Sequence, residues 1–248
     1  MNPIIEIKNL SFGYKKNKLI LEDLSISFQE GRIIVLLGKN GCGKSTLLDC
    51  ILGVNKYSGE ILVDGKEIDK YSSKELATVI SFIPQNLQIN IDYSIREFIS
   101  FGLNPHLSLF ESISKEQYDL IEKNAQKSGI AELLDEDINK VSGGERQLAF
   151  IARALTQNAK IIIMDEPTSA LDFGNQQKLF KIIKEISKEG KTIIFTTHNP
   201  NHLINLDCDI YSIIHGKIQQ IEKLDLNVMK ELYDDDFIFD GQAFTFKI

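Results

Sequence analysis

Residues 38–46 read GKNGCGKST, between the apolar run RIIVLL and the segment TLLDCIL. No other stretch limits the fold so tightly. A continuous apolar run that ends in glycine is the pattern of a strand buried on both faces. The nonapeptide is then a loop joining that strand to a helix. Gly38, Gly43, Lys44 and Ser45 match G-x-x-x-x-G-K-[ST] in the strand–loop–helix setting the motif needs. Its glycines let successive N–H groups point inward at phosphate oxygens, and the helix N-terminus adds about half a positive charge. Lys44 supplies a full charge to the β- and γ-phosphates, and the Ser45 hydroxyl is a ligand for Mg²⁺.

The rest of the pattern agrees with an α/β core. IIEIKNLSF and LSISF alternate as half-buried strands, and EILV leads into VDGKEI with its Asp-Gly turn signal. TVISFIPQ is read as a strand stopped by Pro84. From about Ser94 to Leu155 the period becomes helical. SKEQYDLIEKNAQ opens with a capping box of Ser114 and Gln117 and places Tyr118, Ile121 and Ala125 on one face. Strands and helices then alternate through AKIIIMDEP, QQKLFKIIKEISKEG and KTIIFTTH, with a hairpin in IYSIIHGKIQQIE. In the helix QQKLFKIIKEISKEG, Leu179, Ile182, Ile183 and Ile186 face inward and Gly190 is the stop. The tail after Lys223 carries no readable signal. The whole is an α/β core with a helical insertion.

Two further stretches carry chemistry. IIIMDEP sets Asp165 and Glu166 at the end of a buried strand. Downstream of a phosphate loop, Asp165 is placed to hold magnesium and Glu166 to polarise an attacking water. VSGGERQLAFIARAL repeats apolar residues at Leu148, Ile151, Ala152 and Leu155, one face of a helix. Ser142 and Glu145 form its capping box. Capping does not account for Gly143 and Gly144, since glycine is costly beside a helix unless something must approach the backbone closely.

The bulk properties are those of a water-soluble chain. A net charge of -7 argues against a general nucleic-acid binder, and three scattered cysteines fit neither a disulfide framework nor a zinc site. MNPIIEIKNL lacks the apolar core of a signal peptide, and no apolar run approaches the ~18 residues of a bilayer-spanning helix. A membrane role must therefore come through a partner.

Together these motifs resemble the nucleotide-binding subunit of an ATP-binding cassette (ABC) transporter, in the family's order and over nearly the whole chain. The resemblance implies a P-loop NTPase core of the ABC ATPase type, with an antiparallel β subdomain and a helical insertion. It implies one domain over 1–248: a nucleotide-binding core at 1–85 and 156–222, a helical subdomain at 86–155 and a tail at 223–248. It adds roles residue by residue. Tyr14 of FGY stacks on adenine, and Gln85 of IPQ senses the γ-phosphate, helps hold the metal and couples to the membrane subunits. SGGE is the family signature, SALD (Ser169 to Asp172) the D-loop, and His198 of TTH the switch histidine. ATP is then held by Gly38, Asn40, Gly41, Cys42, Gly43, Lys44, Ser45 and Thr46 of one copy. Ser142, Gly143, Gly144 and Glu145 of a second copy close on it. Magnesium falls to Ser45, Gln85 and Asp165, and catalysis to Glu166, His198, Gln85 and Lys44. Lys39, Cys42 and Val141 depart from the commonest family pattern, at positions where proline, serine and leucine are usual.

Finer likenesses narrow the class. FGLNPHLSLF (Phe101 to Phe110) and LDFGNQ (Leu171 to Gln176) are similar to segments of importers of metal chelates and of molybdate. That likeness implies a separate ATPase subunit on the cytoplasmic face of the inner membrane. It would work with permease subunits and, through them, with a substrate-binding protein; no nucleic acid is expected. His106 is read as a contact to the membrane subunit, and His202 and His215 as structural or solvent-facing. Two rivals stay open at this point: a soluble ABC ATPase acting on ribosomes or DNA, and a P-loop kinase.

Overall fold

Alternation in IIEIKNLSF drives one face of strand β1 (Pro3–Phe12) inward, burying Ile5, Ile7 and Leu10. A computed structural model describes residues 3–15, 18–88, 92–108 and 111–246. Their backbone forms two compact units, residues 1–70 with 194–248, and residues 71–193.

In the first unit β1 pairs antiparallel with β2 (Leu21–Gln29) and with β4 (Ser58–Val63). β4 turns into β5 (Lys66–Glu67), giving the order β2-β1-β4-β5. Asp64 and Gly65 make that turn at φ 49° and 76°, the left-handed pair that an Asp-Gly hairpin favours. A second sheet contains β3 (Ile33–Leu37), β8 (Thr192–Thr197), β9 (Asp209–Ile214) and β10 (Lys217–Ile221). Within this unit its strands follow the order β10-β9-β3-β8, with β3 parallel to β9. Every residue of β3 and β8 is buried, as the unbroken apolar runs require. Helix α1 (Lys44–Ile51) leaves the loop after β3.

The second unit alternates α2 (Ser73–Val79), β6 (Ile80–Ile83), α3 (Ile95–Ser100), α4 (Lys115–Ser128), α5 (Gly143–Thr156), β7 (Ile161–Met164) and α6 (Phe173–Lys188). β6 and β7 are parallel, Ile80 facing Ile161 and Ile83 facing Met164. Four of the helices begin with complete serine capping boxes, at Ser72, Ser94, Ser114 and Ser142. Each cap contributes about 1 kcal/mol and sets where its helix starts.

Several expectations need correction. Thr78 and Val79 end helix α2, which the Ser72 cap starts, so the strand begins only at Ile80. Tyr118 is 45% exposed, because the buried stripe of α4 continues from Ile121 through the half-buried Gln117. Leu155 is only half-buried, whereas Leu148, Ile151 and Ala152 are fully inside. The tail is ordered structure. It forms α7 (Leu226–Tyr233) and a hairpin of β11 (Phe237–Phe239) and β12 (Phe244–Phe246). Of the segment Phe101 to Phe110, Leu109 and Phe110 lie outside the described residues.

Candidate functional site

In the first unit, the carboxyl ends of parallel strands lie side by side. The Gly38 N–H donates to the carbonyl of Thr197 at 3.2 Å, so the phosphate loop starts beside the end of β8, where His198 follows. Gly43 caps α1 at φ 111°. A Cβ there would come within 3.1 Å of Leu21 and 3.2 Å of Ile20, so both conformation and space demand glycine. Lys44 is buried and its Nζ donates to the carbonyls of Gly38 (2.8 Å) and Lys39 (3.1 Å). The ammonium thus sits inside the loop, held by neutral acceptors that phosphate oxygens outbid as charge-assisted partners. Asn40, Gly41 and Ser45 are exposed, Cys42 half-buried and Thr46 buried. Tyr14 is 65% exposed and meets Phe12 edge-on at 5.0 Å, leaving its phenol ring open for stacking.

The stretch from Thr197 to His202 is laced by its own side chains. The Asn199 amide donates to His202 Nε2 at 3.2 Å, so the ring proton sits on Nδ1 and is shared with Thr197 Oγ1 at 2.9 Å. Burial, and secondarily the neighbouring His198, pushes the pKa of His202 down to about 4, which keeps the ring neutral. Of the two readings left open for His202, structural or solvent-facing, these bonds favour the structural one. His198 and His215 are exposed.

In the second unit, β6 and β7 bring Gln85 to Glu166. The Asp165 N–H donates to Ile83 O at 2.9 Å, extending the ladder past the strand ends, and Gln85 Nε2 donates to Glu166 Oε2 at 3.3 Å. Asp165 and Glu166 are both buried. Glu166 takes φ 43°, unusual for a residue with a side chain and a form of strain that clusters at functional sites. Ser142 accepts from the Glu145 N–H at 3.3 Å and donates its hydroxyl to Glu145 Oε2 at 2.7 Å. Its proton is thus already directed at a carboxylate, and reaching a phosphate requires it to turn. A Cβ at Gly143 would meet only Ala170, at 3.9 Å, which leaves that backbone open. At Gly144 it would come within 3.2 Å of the Asn175 amide, so the opening there is narrower than expected. His106 Nε2 donates to the Gln157 carbonyl oxygen at 2.8 Å.

The donors expected to hold magnesium are a hydroxyl, a carboxylate and an amide oxygen. They are hard ligands and few in number, as suits an ion that keeps water and phosphate in its shell. Among the described residues no group of three or more His, Cys, Asp or Glu could hold a metal by itself, and no helix is long and apolar enough to cross a membrane. Sequence reasoning missed Tyr233, whose hydroxyl reaches the carbonyl of His198 at 2.6 Å. Asp225 ahead of Leu226, Met229 and Leu232 could have disclosed the helix that carries it, though not that contact.

A family model described as ABC transporter matches residues 21–169. The petrobactin import ATP-binding protein YclP of Bacillus subtilis (strain 168) is 34% identical over 93% of this chain and 93% of its own. The molybdate import ATP-binding protein MolC of Haemophilus influenzae is 33% identical over 82% of this chain and 76% of its own. Among solved structures, a transporter assigned to the metal-chelate type, caught facing inward, superposes with a TM-score of 0.82 at 28% identity, covering 98% of this chain and 96% of that one.

Proposed function

The chain belongs to the ABC transporter family, and from that premise we propose how its residues turn ATP hydrolysis into the import of a metal chelate or oxyanion. The observation that carries the cargo class is similarity, over 93% and 82% of this chain, to import ATP-binding proteins for petrobactin and for molybdate. The chain is the ATP-binding and hydrolysing subunit. Its membrane attachment runs through permease subunits, and a substrate-binding protein outside delivers the cargo. Functionally the core is 1–85 with 156–222, the helical part 86–155, and the tail 223–248.

In this reading Tyr14 stacks on adenine and the amides of residues 38–46 surround the phosphates, with Lys44 exchanging its loop carbonyls for the β- and γ-oxygens. Ser45, Asp165 and Gln85 supply oxygen donors to magnesium, which when bound neutralises phosphate charge. Glu166 takes a proton from the attacking water; Gln85, its hydrogen-bond partner, keeps the carboxylate oriented. His198 contacts the γ-phosphate. Ser142, Gly143, Gly144 and Glu145 serve the ATP held by a second copy, the N-terminus of α5 favouring its negative charge. ATP binding closes two copies and hydrolysis opens them, and that cycle moves the permease.

Glu166→Gln separates binding from turnover. It retains ATP affinity while kcat falls by at least about 10²-fold, the scale of a lost general base. Cells carrying only that variant fail to accumulate the ferric chelate or molybdate that the wild-type chain lets them import. Full ATPase activity of the variant contradicts the role of Glu166; normal uptake of both cargo types without the chain contradicts the cargo class.

A further inference from the structure

The segment after Lys223 folds back onto the switch region. Asp225 caps α7 by accepting from the N–H groups of Asn227 and Val228 at 2.9 and 3.0 Å, and Met229 and Leu232 are buried beneath it. Tyr233 is the last residue of that helix, and Asp234, at φ 56°, turns the chain toward β11. The Tyr233 hydroxyl donates to the carbonyl oxygen of His198 at 2.6 Å. Three residues further on, Asn201 is gripped by the other end of the same tail: its Nδ2 donates to Phe244 O at 3.0 Å, and the Phe244 N–H donates to its Oδ1 at 2.7 Å. The tail therefore holds the stretch 198–201 at both ends. Glu231 and Leu232 of α7 also line a cavity with Gly38 and Cys42 of the phosphate loop.

We propose that Tyr233 is a positioning residue for His198, its hydroxyl fixing the peptide that carries the histidine so that the ring meets the γ-phosphate in one orientation. The inference rests on the reading of His198 as the γ-phosphate contact. Thr197, Asn199 and His202 bond one another, and the His198 carbonyl is where α7 takes hold of this stretch. Burial, with a smaller contribution from Cys42, holds the Tyr233 phenol well above the ordinary tyrosine range. The group therefore stays a donor at every working pH. A phenol that only filled space would have no need of an aligned acceptor, and its ring already packs on Phe237 at 5.5 Å.

The test uses the full chain with Tyr233→Phe, which keeps the ring and removes only the hydroxyl. The expected result is a kcat lower by about fivefold, the size of one net hydrogen bond, with KM for ATP within about twofold of wild type. The thermal midpoint falls by no more than about 4 °C. In a His198→Ala background the same substitution produces no further loss, because the two residues act as one unit. Tyr233→Leu, which also removes the ring, lowers the thermal midpoint further but kcat no more than Tyr233→Phe does. Unchanged kcat in Tyr233→Phe, with His198→Ala impaired, overturns this inference and leaves the switch reading standing. An equal loss in both backgrounds overturns it too. Full activity of His198→Ala overturns the switch reading itself, and this inference with it.

Discussion

Glu166 and Gln85 hold one another at 3.3 Å just past the ends of two paired strands, with Glu166 buried at a positive φ. A carboxylate in such a conformation is held there by its surroundings, which is what a base that must meet a water at one angle requires. His202 makes a contrasting case. Its pKa is pushed down to about 4 in the folded chain, against an ordinary value near 6.5. Between those values the unfolded chain binds the extra proton, so stability rises with pH there. The contribution is complete above about pH 6.5 and is lost as pH falls toward 4. Chemical denaturation should show the wild type losing about 1 kcal/mol more per pH unit across that window than His202→Gln. Equal slopes for the two would remove His202 from this role. The candidate residues stood out in the sequence because each pattern ties a particular chemistry to a particular spacing, as Lys44 does within G-x-x-x-x-G-K-[ST] and Glu166 at the end of a buried apolar strand. That the Ser142 hydroxyl points to Glu145, and that Asn175 crowds Gly144, depend on contacts with the next turn or the next helix. One-dimensional spacing does not record them.

At the scale of elements, the serine caps and apolar stripes account for most of what the sequence disclosed. Ser114 and Ser142 start their helices where the capping boxes were read, and Gly190 closes the turn after α6 at φ 86°. Two α-helices escaped, as did the hairpin of β11 and β12 in the tail. Helix α2 presents no buried residue and so has no stripe to detect. Helix α7 is short and followed by an acidic run that hides it. The docking of α5 in its unit depends on a close approach as well. Gly102, within the importer-like segment, lies so near that helix that a Cβ would come within 2.4 Å of the Arg153 carbonyl oxygen and 2.9 Å of the Gln157 nitrogen. Arg153, from the same helix, donates to Phe82 O at 2.8 Å and packs over the rings of Phe98 and Phe150. Gly102→Ala should therefore cost about 2–3 kcal/mol, since backbone must move. Thermal unfolding reads this directly, and a midpoint equal to wild type would show that the helix gives way freely.

At the scale of the molecule, the account requires two copies. Each carries a net charge of -7, so like chains repel until a ligand bridges them. In the proposed shared site, the Lys44 loop of one copy and the Ser142 edge of the other would enclose the same triphosphate and supply that bridge. The family and the α/β core were legible from motif order. The pairing of copies rests on the exposed, nearly unobstructed backbone at Gly143, which no requirement of its own helix accounts for. Sedimentation velocity of Glu166→Gln, at micromolar protein with and without ATP, tests this most directly. The account predicts monomer without nucleotide and dimer in saturating ATP, with Ser142→Arg abolishing the dimer while ATP still binds. A chain that stays monomeric with ATP bound would contradict the shared site.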